Sequence, residues 1–383
     1  MTSRKRKLIG VAVRVWRSIC LVALRAAECG RKQVLPPATP RRILLINPAH
    51  IGDIVISASL IPVLQCAYPS AQIGFATGSW SAFVLKSDPR IAFVHCIDQW
   101  RLNRSDAGVL SKMWQFKRTR RAALREIRAL RYDIALCLYP WNPDLLDLAW
   151  TARIPVRVGF RHSVMAPLAT LLVDRPTTPF MSIGAIQGEL LRAILREPAC
   201  LQYRRSSLPE SSPEAIREVC ALLGVPAINT IRYRVIHMGS GATNRELPPE
   251  FWGEVVRNRP DQRFLFTGRG SREAANIEAV VNRFENCINA CDRLSWQGFV
   301  AAVRHADLLY GVESMAGHVA AAVGTRCVVA YSGLAGVARW RPDSSLATVV
   351  SCHLPCAPCN DIRGCPEMTC IRNVSPQDLL RFG

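Results

Sequence analysis

From Arg42 onward, short continuous apolar runs alternate with amphipathic stretches. Residues 43–46 are apolar at every position, as in a parallel strand buried on both faces. The pattern predicts a helix over 54–67, strands over 73–76 and 91–97, a basic helix, and strands over 134–138 and 156–159. Residues 174–215 then carry Pro176, Pro179, Pro198, Pro209 and Pro213, with one helix expected over 186–195. The rhythm restarts with strands over 234–237, 263–267, 287–290, 308–312 and 327–331, separated by helices over 251–257, 273–283, 296–305 and 316–323. Strands alternating with helices make right-handed βαβ units. The expectation is an α/β protein of two facing Rossmann-like domains, residues 41–205 and 206–383. Ligands of such sheets bind beyond the carboxyl ends of the strands, here in the cleft between the two.

The chain has 383 residues, 49% hydrophobic and 20% charged, which excludes a disordered or fibrous protein. Its net charge of +20 comes from two places. Residues 1–42 hold eleven Lys/Arg against Glu28 alone; residues 101–131 hold ten against Asp106 and Glu126. Such patches point to an acidic partner. Nucleic acid is set aside, because no reader motif or aromatic-interleaved basic surface accompanies them. Residues 1–40 read as a separate segment. Its apolar stretch is broken by Arg14, Arg17 and Arg25, so it fits an interfacial helix with Trp16, Leu21 and Leu24 toward lipid, or a solvated extension.

The fifteen cysteines do not form a secreted scaffold pattern in a chain this long. Cys66, Cys96, Cys137 and Cys327 sit singly in apolar runs and read as small core residues in a reducing cytoplasm. Cys352, Cys356, Cys359, Cys365 and Cys370 crowd the tail, where zinc, a disulfide and free thiols remain open.

Three turns could carry chemistry. There is no P-loop, no complete G-x-G-x-x-G and no D-x-D pair. After the first strand, Gly52 permits a tight turn and Asp53 falls near a helix N-terminus, where it is either a general base or a helix cap. After the strand 234–237 comes Gly239-Ser240-Gly241, then Thr243 and Arg245: free backbone N–H groups, hydroxyls and a guanidinium suited to phosphate oxygens. After the strand 308–312, Glu313 could hold sugar or ribose hydroxyls. Met315, Ala316, Gly317 and His318 open a helix whose N-terminus could accept a diphosphate.

In order and spacing these turns resemble glycosyltransferase family 9, the lipopolysaccharide heptosyltransferase family, over about residues 42–380. The Cys356-Ala-Pro-Cys359 tail adds to the resemblance. The resemblance implies a GT-B fold and an inverting transfer without metal or cofactor. Its default donor is ADP-heptose and its acceptor an acidic glycolipid, at the cytoplasmic face of the inner membrane. It makes Asp53 the base. Arg245, where the family commonly has Lys, would neutralise the donor diphosphate, and Glu313, where the family has Asp, would contact the donor. Lys117, Arg118, Arg120 and Arg121 would meet acceptor phosphates or the anionic membrane. Two other readings remain, a weakly catalytic scaffold of the same fold and a sugar-nucleotide epimerase.

Overall fold

The computed structural model describes residues 34–383 apart from 142–144, 164, 177, 179, 206 and 362–363. The expected interfacial helix with Trp16, Leu21 and Leu24 lies outside the described residues.

The first half runs β1 (Arg42–Ile46), α1 (Ile51–Ser57), α2 (Ile61–Ala67), β2 (Gln72–Thr77), α3 (Ala82–Lys86), β3 (Phe93–Cys96), α4 (Val109–Leu130), β4 (Ile134–Cys137), α5 (Leu146–Thr151), β5 (Val156–Phe160) and β6 (Leu171–Val173). The connection carries α6 (Ile183–Arg192) and α7 (Pro213–Leu223). The second half runs β7 (Arg234–His237), α8 (Pro249–Arg257), β8 (Phe264–Thr267), α9 (Ser271–Val281), β9 (Cys287–Asn289), α10 (Trp296–Arg304), β10 (Leu308–Val312), α11 (Met315–Val323), β11 (Cys327–Tyr331), α12 (Val337–Trp340) and β12 (Ala347–Ser351). Two short helices, α13 (Thr369–Arg372) and α14 (Pro376–Leu380), close the chain.

Each half forms a six-stranded parallel sheet. The orders are β3-β2-β1-β4-β5-β6 and β9-β8-β7-β10-β11-β12, so both are wound as 3-2-1-4-5-6. The strand order reverses between β1 and β4 and again between β7 and β10. Loops beyond those strand ends border the crevice of a doubly wound sheet.

The apolar runs explain the layers. In β1, Ile43 and Leu45 enter one core, and Leu44 and Ile46 the core on the other face. The core of Ile43 is continuous across both halves. It takes one face of each sheet with side chains of α1, α2, α6, α7, α10 and α11 between them. Helix α1 packs directly on α11, so the two halves meet through apolar contact as well as through the connection.

Three expectations are corrected. The helix over 54–67 begins at Ile51 and is interrupted by a 3₁₀ turn, Ala58–Leu60. Pro62, in the first turn of α2, has no N–H with which to continue the α-helical ladder. β6 and β12 were not expected, because one has three residues and the other alternates weakly. Cys137 and Cys327 are core residues, but Cys96 is only half-buried and Cys66 is exposed at the end of α2. The Cys66 Sγ lies 2.8 Å from Cys200 Sγ.

Candidate active site

Asp53 is placed by a buried hydrogen-bond chain. Asn47, fully buried after β1, donates through Nδ2 to Ser57 Oγ at 2.9 Å and accepts from Ala49 N at 3.1 Å. Ser57 Oγ donates to Gln187 Oε1 of α6 at 3.0 Å, and Gln187 Nε2 donates to Leu138 O at 3.3 Å. This fixes the turn 47–50 between the ends of β1 and β4. His50 caps α1, and its N–H donates to Asp53 Oδ2 at 3.2 Å. Asp53 thus makes the cap contact expected of it, as the third helical residue and not the cap itself.

Burial raises the Asp53 carboxyl to about 6, against the opposing pull of the His50 N–H, Arg104 and Arg245. That value suits a base that is ionised at neutral pH yet still basic. Burial, then Arg104, lowers His50 to about 4, so its imidazole is neutral.

The second half contributes a cation and an acid already joined. Arg245 Nη1 lies 3.3 Å from Glu313 Oε1, with Glu313 only 5% exposed. Ser332 Oγ donates to Glu313 Oε2 at 2.9 Å, and Ser240 Oγ donates to the Glu313 carbonyl at 3.1 Å. Burial raises the Glu313 carboxyl, and Arg245 and Ser332 hold it down. Ser240 N–H donates to Glu246 Oε1 at 2.7 Å, which pins the glycine-rich turn. Among the described residues, Arg245 Nε and Ser314 Oγ are buried donors that make no hydrogen bond, as are Arg234 Nε, Trp252 Nε1, Arg304 Nε and Arg339 Nε elsewhere in this half. Ser314 is the cap residue of α11, yet its side chain caps nothing. Unspent donors beside a helix N-terminus match a phosphate oxygen in chemistry.

The small residues of α11 have a packing role. A Cβ on Gly317 would come within 3.1 Å of Pro342 Cγ and 3.2 Å of Val329 Cγ1, and Ala316 is fully buried. Gly52 is likewise not a turn residue. A Cβ there would stand 3.3 Å from His318 Cδ2 and 3.7 Å from the Met315 Cα. Its missing side chain lets α1 approach the start of α11 across the cleft. Buried His318 is held near 4, hence neutral, by desolvation. Gly241 and Thr243 are exposed at the rim.

Residues not singled out in the sequence complete the site. Arg104, in the loop before α4, reaches across to donate to Gly241 O at 3.3 Å. Burial, then the neighbouring Arg245 charge, lowers its pKa, so two guanidiniums share the space around one carboxylate. Tyr139, just past β4, is pushed up to about 12 by burial and then by Asp53. Trp141 packs edge-on against Tyr139 and stacks on Trp340 of α12, with centroids 5.5 Å apart and planes at 14°. Arg104 lay inside a basic run that reads as a patch, which hid it. Tyr139 could have been found from its place at a strand's carboxyl end.

The four cations expected on α4 divide. Lys117, Arg118 and Arg121 are exposed, while Arg120 turns inward to Asp147 Oδ2 of α5 at 2.9 Å. Arg120 therefore belongs to the helix packing and not to the outer patch. The tail cysteines are not gathered. Cys370 is buried, Cys352 half-buried, and Cys356, Cys359 and Cys365 are exposed free thiols. Among the described residues, no group of three His, Cys, Asp or Glu is placed to hold a metal ion.

The chain matches the family model for glycosyltransferase family 9 (heptosyltransferase) over residues 120–368. The protein belongs to that family. It is a glycosyltransferase, and the fold agrees. The family 9 glycosyltransferase structure from Veillonella parvula superposes with a TM-score of 0.73 at 19% identity, over 89% of this chain and 95% of that one. The structure of E. coli ADP-heptose LPS heptosyltransferase II gives 0.68 at 19% identity, over 89% and 97%. E. coli heptosyltransferase WaaC with ADP gives 0.64 at 14% identity, over 89% and 98%. The two sheets are thus those of a GT-B enzyme. Among curated proteins, none matches the chain in sequence. The segment matched to the family begins beyond Asp53 and Arg104, so their part in the site rests on the geometry above.

Proposed function

We propose that this glycosyltransferase moves a sugar with inversion from a nucleotide-sugar donor, by default ADP-heptose, onto an acidic membrane glycolipid. The carrying observation is the environment of Asp53: a carboxylate raised to about 6 beside the charges of Arg104 and Arg245, on a helix that packs against α11. Asp53 takes the proton from an acceptor hydroxyl as that oxygen attacks the anomeric carbon. The bond from that carbon to the donor phosphate breaks, and the nucleoside diphosphate leaves with the electron pair. Inversion follows because attacker and leaving group occupy opposite faces, Asp53 on the first half and the phosphate site on the second.

The leaving diphosphate gains charge, and placed cations and dipoles stabilise it. Arg245 Nε, Ser314 Oγ, Ser240 and the α11 N-terminus supply those groups, which is why the reaction is proposed to proceed without a metal. Thr243 and Gly241 line the donor's rim. Glu313 orients Arg245 and offers the donor hydroxyls a carboxylate. Arg104 stands on the acceptor side and favours an acidic acceptor. The donor nucleotide follows the E. coli WaaC structures, which hold ADP and ADP-2-deoxy-2-fluoro heptose. The placement proposed is the cytoplasmic face of the inner membrane; among the described residues, no helix is long and apolar enough to cross a bilayer.

The test is thermal stabilisation by ADP, UDP, GDP and CMP, followed by transfer from ADP-heptose with the product anomer read by NMR. A ligand that binds only the folded state raises the melting temperature by mass action. Selective stabilisation by ADP, lost in Arg245→Ala, and an inverted product are expected. Selectivity for another nucleotide would replace the donor, and a retained anomer would overturn the mechanism.

A further inference from the structure

The first two turns of α4 expose an apolar group that nothing in the described structure covers. Leu110 is 83% exposed, Trp114 64%, Val109 52% and Met113 44%. Monomeric proteins seldom leave large apolar side chains contiguous in water without a binding role. Residues three and four apart share a helix face, so Leu110, Met113 and Trp114 continue into Lys117, Arg118, Arg121 and Arg125. All four cations are exposed, and none forms an ion pair among the described residues. Arg118 lies over the Trp114 ring, 5.2 Å from its centroid. The opposite face sends Phe116, Ala123 and Ile127 into the core beside β4. The outward face is therefore an apolar tip followed by a cationic stripe, along a helix of 22 residues.

We infer that this face docks on an anionic lipid bilayer, with Leu110, Met113 and Trp114 entering the head-group boundary and the cations lying on lipid phosphates. Charge selects that occupant. A second copy would set one cationic stripe against another. Residues 1–33 carry nine Lys/Arg against Glu28, so they too would be repelled. An interface of Trp and Leu beside Lys and Arg is the chemistry of helices that lie on membranes. The surface stands whichever sugar is moved. It gains a use from the site, because the loop that starts α4 also carries Arg104 to Gly241 at the cleft. Docking there would bring lipid-borne hydroxyls to the side of the cleft that holds Asp53.

The full chain is sedimented with vesicles of phosphatidylcholine alone and of phosphatidylcholine mixed with phosphatidylglycerol. Binding to the anionic vesicles is expected. Each juxtamembrane cation contributes about fivefold in partitioning, so K117E/R118E/R121E should lower it by tenfold or more. L110S/M113S/W114S should do the same, with melting temperatures unchanged in both. With brominated lipid, the wild type should lose tryptophan emission that Trp114→Phe does not. Equal binding by both triple variants and the wild type would overturn the inference and assign membrane contact to residues 1–33. Equal binding to both lipids, or equal quenching in Trp114→Phe, would also overturn it. So would a dimer dissolved by the apolar triple in a chain that ignores vesicles.

Discussion

The two halves share one strand order and differ in how they hold charge. In the first, Asp53 is bonded by the His50 N–H and forms no ion pair among the described residues, though two arginines lie near it. In the second, Glu313 is tied to Arg245 and Ser332, and Glu246 to Arg272 and the Ser240 N–H. Burial raises both carboxyls, but Asp53 has no cation bonded to it and is free to take a proton, whereas Glu313 is bound to Arg245 and orients that cation. On the proposed mechanism, the same scaffold carries reactivity on one side and binding on the other. The difference lives in the loops at the carboxyl ends, as is general for this architecture.

The largest effect expected is on the reactive side. Asp53→Asn should lower transfer by roughly 10²–10⁴-fold, the range of a lost general base. The melting temperature at neutral pH should not fall. A carboxyl whose folded pKa is raised binds its proton more tightly folded than unfolded. Its contribution to stability therefore drops as pH rises from the ordinary carboxylate range through about 6, and the amide removes that loss. A clear drop in melting temperature with activity retained would make Asp53 a cap residue only.

The binding side should respond in the opposite way. Arg245→Ala leaves Glu313 buried without its cation and should cost roughly 1–3 kcal/mol of stability as well as ADP affinity. Arg245→Ala/Glu313→Gln should restore much of the stability and none of the affinity, measured by melting with and without ADP. If the single variant melts like the wild type, the two halves do not differ as described.

The smallest effect is at their contact. Gly52→Ala places a methyl 3.3 Å from His318 Cδ2. It should cost about 1 kcal/mol, at the low end for overpacking, and raise KM more than it lowers kcat, because it pushes α1 from α11. An unchanged KM would mean the helices have room to give.

Most of the frame is legible in the chain because a parallel strand buried on both faces must be apolar throughout, as 43–46 and 327–331 are. The edge strand β6 escapes because three residues carry no period. The turns at Asp53, Ser240 and Glu313 are legible from their place after strands. What each one touches is not. The Gly52–His318 approach, the reach of Arg104 to Gly241 and the inward turn of Arg120 depend on how elements far apart in sequence pack. One basic run hides three roles, with Arg104 in the cleft, Arg120 in the helix packing, and Lys117, Arg118 and Arg121 on the surface.

The most direct test of the central claim is the pH dependence of kcat/KM for the wild type and Arg104→Ala. Activity should rise with pH through about 6 as Asp53 loses its proton. In Arg104→Ala that limb should move to higher pH, since a nearby cation favouring the carboxylate is gone. A wild-type profile flat through that region, or a limb that stays in place without Arg104, would contradict Asp53 as the base.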